Sequence, residues 1–367
     1  MSMLLLVVAC VRGDDDVLRD PAATLRNRWA ITRLRFEAIT KRFVDEAPNA
    51  TRSLARSDAP SPARPFVFLH QRKTGGTTLR KGLHRRAQQL GVHSWLPCFD
   101  DVPCQSYAAP EALANVSLLG GHLAWPDVAA RLPGGFDCFT VFREPVARVE
   151  SCWNFRFVQQ PQLPNWKARG ATPREPFHAM NATALRATLP VARSLQREGC
   201  NNEPYRVLGP FSRGDEDAVS SLTSADAASD VDVATDALFK TLEHAGRCVV
   251  GVLERCDDTA EVLAHFQPWA AAVAGSECAH DATMLQRGST ARAGLDAAQV
   301  DAVRRENALE VHAYAAANAM LDAQLAVARG ANPWRRTADG EGRRAWLDAA
   351  DKVARGSRDW SRATTAT

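Results

Sequence analysis

Six consecutive residues, Lys73, Thr74, Gly75, Gly76, Thr77 and Thr78, carry the strongest chemical signal in the sequence. A cation, a set of hydroxyls and an adjacent glycine pair suit the grip of an oxyanion. The glycines let the backbone come close and accept dihedrals that other residues resist. Lys73 adds a mobile positive charge. In the common nucleoside-triphosphate loop, G-x-x-x-x-G-K-[ST], the lysine follows the second glycine. Here it precedes both, so a triphosphate site is the weaker reading. An ordinary strand-to-helix turn with a solvated lysine is the plain alternative.

Two further positions could join that chemistry. Arg143 is followed by Ser151 eight residues later. An arginine at a strand end and a serine two turns into the next helix can converge on one phosphate. Taken alone, Arg143 reads better as a surface ion pair with Glu144 or Glu150. His122 follows a glycine pair in LLGGHLAWPD, Leu118 to Asp127. Imidazole titrates near neutral pH and can take a proton from a hydroxyl, which is a poor nucleophile until then. Taken alone, His122 is a core or surface histidine.

The elements that must position these residues follow from local pattern. FVFLHQRKTGGTTLRKGL, Phe66 to Leu83, reads as a buried strand, a glycine turn and a helix start. That arrangement aims backbone N–H groups and the positive end of a helix dipole at one point. Phe136 to Phe142 is an apolar, aromatic and β-branched run that reads as a second buried strand. Pro145 suits the first turn of the helix that follows. Arg247 to Phe266 reads as another strand and helix. Arg304 to Leu325 reads as one closing helix, with Val300, Val303, Val311, Tyr314, Leu321 and Leu325 on one apolar face interrupted by Asn307 and Asn318.

Together the two glycine-loop and arginine segments resemble the sulfotransferases that use 3′-phosphoadenosine 5′-phosphosulfate (PAPS). KTGGTT at 73–78 is similar to that family's grip on the 5′-phosphosulfate, and REPVARVES at 143–151 to its grip on the 3′-phosphate. The closest likeness is to the Golgi enzymes that sulfate glycans, the heparan sulfate 2-O and 6-O type. Gln71 and Arg72 stand where those enzymes often carry an apolar residue and proline, and Cys256 stands where they carry an aromatic. CNNEPYRVLGPF, Cys200 to Phe211, and the closing helix extend the likeness over roughly Pro65 to Val327. The resemblance implies an α/β, P-loop-like three-layer fold with a central parallel sheet flanked by helices. It implies PAPS as co-substrate, a glycan acceptor, His122 as general base, and Lys73 beside the leaving oxygen. Lys73, Thr74, Gly75, Gly76, Thr77 and Thr78 would hold the 5′ end, and Arg143 and Ser151 the 3′-phosphate. No metal is required by that scheme. A nucleotide phosphotransferase, or a homologue that binds a nucleotide or glycan without turnover, are the competing readings.

Composition sets wider bounds. A chain of 367 residues with 46% hydrophobic content suffices for one large α/β domain or two smaller ones. A net charge of +3 does not point to nucleic acid. The expected layout is a leader or stem over 1–50, a Pro/Ser/Ala linker over 51–64, the catalytic domain over 65–329 and an Arg/Asp-rich tail over 330–367. Met3 to Cys10 is an apolar run too short to span a bilayer. It reads as a signal-peptide segment, the end of a longer anchor, or a short leader, and so leaves membrane anchoring open. Nine cysteines lean towards an oxidising compartment, and the resemblance implies the Golgi lumen or membrane or the secretory pathway. Cys98 and Cys104 bracket a short loop and could be bridged. Asn49, Asn115 and Asn181 begin N-x-[ST] sequons, and the place of Asn115 before a buried strand points to limited access. The proline-rich stretch 158–176 reads as a long loop near the site, with Lys167 and Arg169 as substrate contacts or solvated side chains. Ser212 to Asp230 reads as an insertion.

Overall fold

In the computed structural model, residues 21–54, 59–97, 115–168, 170–194, 200–212, 231–273 and 295–330 are described. Met3–Cys10, the Cys98–Cys104 loop, Arg169, the 213–230 part of the expected insertion and the tail beyond Gly330 lie outside them.

The centre is a five-stranded sheet, parallel throughout, in the order β2-β3-β1-β4-β5. Its strands are β1 (Phe66–Leu69), β2 (Ser94–Trp95), β3 (Leu118–Gly121), β4 (Asp137–Phe142) and β5 (Val249–Val252). Parallel neighbours need crossovers, and helices supply them. After β1 comes α2 (Gly76–Leu90), after β3 comes α3 (Trp125–Arg131), and after β4 comes α4 (Pro145–Trp153). The chain continues through α5 (Ala182–Ser194), α6 (Glu203–Leu208) and α7 (Val231–Gly246), then α8 (Cys256–Phe266), α9 (Ala297–Glu306) and α10 (Ala308–Ala328). Ahead of the sheet lies α1 (Pro21–Arg52).

Strand side chains alternate between two apolar layers, as buried strands covered on both faces require. Val67, Leu69, Leu119, Cys138 and Phe142 pack with residues of α1, α3, α7 and α10. Phe66, Phe68, Leu118, Phe139 and Val141 pack with α2, α8 and the end of α10. The fold is therefore α/β with three layers. Phe36 and Ala47 of α1 belong to the first layer, so this helix is docked on the sheet domain.

Three expectations change. The closing helix is two helices, broken at Asn307, whose carboxamide accepts from the Asn202 amide N–H at 3.0 Å. The second of them is buried on more than one side: Ala313, Ala316 and Ala317 face one layer, Leu321 and Leu325 the other, while Val300, Val311 and Tyr314 are only partly buried. The stretch expected as a loop, 158–176, starts inside a π-helical turn, Asn154–Gln159, and continues through short helical turns. Asn115 is exposed rather than shielded, as is Asn181.

Disulfides join Cys138 to Cys248 and Cys152 to Cys200 across separations of 110 and 48 residues. Cys256, the departure noted at the start of α8, is also disulfide-bonded. Closing loops of such length removes unfolded-state entropy worth about 4–5 kcal/mol per bridge in the chain-entropy account.

Candidate functional site

All five strands run the same way, so their carboxyl ends share one edge. Leu69 pairs with Gly121 and with Thr140. The residues that follow these strands, His70, His122 and Arg143, are therefore neighbours. A ligand crevice in an open parallel sheet forms at this edge, where the strand order reverses. Here β1 is central, with β3 and β2 on one side of it and β4 and β5 on the other.

The loop after β1 is built for close approach. Gly75, φ 78°, is the left-handed N-cap of α2, and Lys73 also holds a positive φ of 63°. Arg143 donates from Nη1 to the Lys73 carbonyl at 3.0 Å and pins that turn. The start of α2 has no side-chain cap and no acidic residue in its first turn. Its first N–H groups and its dipole point out of the loop. Gly76 is required by contact: a Cβ there would sit 1.9 Å from His70 Cδ2. Thr77 is exposed and Thr78 half-buried in that first turn. Thr74 differs from expectation. Its hydroxyl is buried and donates to the Gln71 carbonyl at 2.8 Å, so it shapes the turn instead of facing a ligand.

The charges around the loop are poised for an anion. Burial and the neighbouring Arg143 guanidinium push the Lys73 ammonium below its ordinary pKa. Two cations this close repel, and a bound oxyanion would relieve them. The Lys73 ammonium lies over the Phe155 ring, 4.5 Å from its centroid. Phe155 is 44% exposed and stands on the π-helical turn. Such turns recur at functional sites. Ser151 lies one turn earlier and is partly buried, on the same helical run as Phe155. Glu144 caps α4, accepting from the Ala147 amide at 2.8 Å, and its carboxylate lies 3.8 Å from Arg304.

His122 is held with one nitrogen committed. Its Nδ1 lies 2.8 Å from the His70 carbonyl, which can only accept, so Nδ1 carries the proton and Nε2 keeps its lone pair. Burial first, then the Arg72 charge, lowers its pKa to about 4. Uncharged at neutral pH, the ring can accept a proton.

The two departures before Lys73 have structural partners. Gln71 is buried and donates to the Thr140 hydroxyl at 3.1 Å. Arg72 meets Glu203: its amide donates to Oε1 at 3.1 Å and its Nε lies 3.5 Å from the same oxygen. Burial pushes the Glu203 carboxyl up, but Arg72, Arg148, Arg206 and His122 outweigh it and hold it below the ordinary value. Sequence reading missed Glu203, His70 and Phe155. It also left Arg148 without a role. Arg148 is fully buried, donates to both Glu310 carboxylate oxygens and to the Cys200 carbonyl, and ties α4 to α10. Lys167 is exposed. Among the described residues no group of three His, Cys, Asp or Glu side chains could hold a metal, and no helix is long and apolar enough to cross a membrane.

Set against known protein families, curated proteins and solved structures, the chain matches none.

Proposed function

We propose that this chain is a PAPS-dependent sulfotransferase of P-loop-like architecture that sulfates a hydroxyl of a glycan. One observation carries the reading: the α2 start with no side-chain cap, the Lys73–Arg143 cation pair and a histidine that is neutral at pH 7, its Nδ1 held by the His70 carbonyl, converge at the carboxyl edge of β1, β3 and β4. The residue patterns KTGGTT and REPVARVES, in that order, support the same reading.

PAPS, when bound, supplies an activated sulfuryl group whose leaving oxygen belongs to a phosphate. The residues of this chain do the rest. The Gly76 and Thr77 amides and the α2 dipole hold the 5′-phosphate end. Arg143, with Ser151, meets the 3′-phosphate through charge-assisted hydrogen bonds. Nε2 of His122 takes the acceptor's proton. The acceptor oxygen forms its bond to sulfur as the sulfur–oxygen bond to phosphate breaks. The Lys73 ammonium leaves the Phe155 face and neutralises the charge left on that phosphate oxygen. Positioning and charge stabilisation carry most of such a transfer. The disulfides and the exposed sequon asparagines support residence in the secretory pathway, including the Golgi lumen.

The test is transfer of labelled sulfate from PAPS to a panel of glycans. The wild-type chain is expected to label at least one acceptor. His122→Ala should lose about a hundred- to ten-thousandfold in rate while keeping bisphosphoadenosine affinity. A chain that labels none of the panel and does not bind the nucleotide would contradict the reading. A His122→Ala chain that instead loses nucleotide affinity would make His122 a nucleotide contact.

A further inference from the structure

His70 touches both halves of the site. It is 3% exposed, at the end of β1. Its ring stacks on Phe68, with centroids 5.5 Å apart, and on His122, at 4.2 Å and 27° between planes. The ring also lies against the start of α2: a Cβ on Gly76 would come within 2.0 Å of its Nε2. Its own amide donates to the Gly121 carbonyl at 2.9 Å, and its carbonyl holds Nδ1 of His122. One residue thus fixes the tautomer of the imidazole, one side of its ring and the seat of the first α2 glycine.

We propose that His70 is a positioning residue that couples the anion loop to the base, its ring passing the placement of the α2 start on to the imidazole of His122. The inference rests on the proposed base role of His122. Close-packed rings do not compress. A shift of Gly76 when an anion draws on the α2 amides must move the ring, and the ring must move His122. The ring also keeps water from one side of His122. The charged groups that face His122 are Arg72 and Glu203, with Arg80 beyond. Arg72 belongs to the same loop and Glu203 holds it, so loop, pair and base form one unit.

The direct test follows the His122 ring signals by nuclear magnetic resonance in the ligand-free chain with labelled histidine. His70→Phe keeps a flat ring and should leave the His122 titration near the wild-type midpoint of about 4. His70→Ala admits water and should raise that midpoint by about one unit or more, towards the ordinary value. Gly76→Ala pushes on the ring from the loop side. It should shift the His122 signals when His70 is present and leave them in place when residue 70 is alanine. Where His70→Ala does not fold, the single Gly76→Ala chain still tests the proposal, because unshifted His122 signals there would overturn it. In the active enzyme, His70→Ala should lower kcat about tenfold or more and move the acidic limb of the pH profile upward. A His122 titration unchanged in His70→Ala, or an equal Gly76→Ala shift in both backgrounds, would reduce His70 to packing and overturn the proposal. The resonance readouts use neither nucleotide nor acceptor, so they can fail while sulfate transfer stands, and the reverse.

Discussion

The setting of Lys73 works against its charge. Burial and Arg143 both disfavour the ammonium, and a positive φ holds its backbone in a region few side chains adopt. Strain and repulsion of this kind gather where a ligand is bound. Lys73→Met keeps the stem and removes the charge. Loss of one preorganised group at a developing charge costs roughly a hundredfold or more in rate. We expect that loss in sulfate transfer, with the circular dichroism of the folded chain preserved. A rate within a few-fold of wild type would remove Lys73 from the chemistry. The signal for this residue was local: a lysine beside two glycines after an apolar run. Thr74 shows the limit of such a signal. Its hydroxyl looks available in the sequence, yet the turn bends it back onto Gln71.

At the scale of elements, β1, β4 and β5 with their following helices were legible because apolar runs and glycine turns are short-range patterns, whereas the two-residue β2 and the short α3 leave no such pattern. The contacts that hold the site were not, because they join distant positions. Glu203 meets Arg72 across 131 residues, and Arg148 meets Glu310 across 162. Asn307 reads as a blemish in a helix face, and only its bond to Asn202 shows why the helix stops there. The Arg148–Glu310 pair sets the place of α4, and with it Ser151. A buried pair that loses one partner costs about 3–5 kcal/mol, while an apolar replacement of both is often near neutral. Arg148→Met should therefore lower the urea unfolding free energy by about that amount, and adding Glu310→Met should restore much of it. Burial already pushes the Glu310 carboxyl up, against the pull of Arg148, so part of the loss is relieved as that carboxyl takes a proton. A single variant as stable as wild type would mean that α4 is placed by its apolar contacts and the Cys152–Cys200 bridge alone.

For the whole molecule, acid is the clearest stress. His122 and His312 are both lowered to about 4, chiefly by burial, and His70 lies well below its ordinary value. Each has a folded pKa beneath its unfolded one. Between about pH 6.5 and 4 the unfolded chain therefore binds more protons, and stability falls as pH falls through that window. A withheld proton contributes about 1.4 kcal/mol per pH unit, so three give a slope of at most roughly 4 kcal/mol per pH unit. His312 packs on Phe36 of α1 and lies 3.1 Å from the Thr40 hydroxyl, so its protonation loosens the docking of that helix. The urea midpoint should drop steeply from pH 7 to 5, and less steeply in His312→Gln. A flat midpoint over that range would mean that the histidines are hydrated in the folded chain. The account as a whole depends on a site for the 3′-phosphate. The most direct measurement is calorimetric binding of 3′,5′-bisphosphoadenosine and adenosine 5′-monophosphate at fixed salt, in wild type and Arg143→Ala. A hydrogen bond to a charged group is worth about 1.5–3 kcal/mol, roughly ten- to over a hundredfold in affinity. Wild type should prefer the bisphosphate by that margin, and Arg143→Ala should bind the two nearly alike. Equal wild-type affinity for both would contradict the sulfotransferase reading.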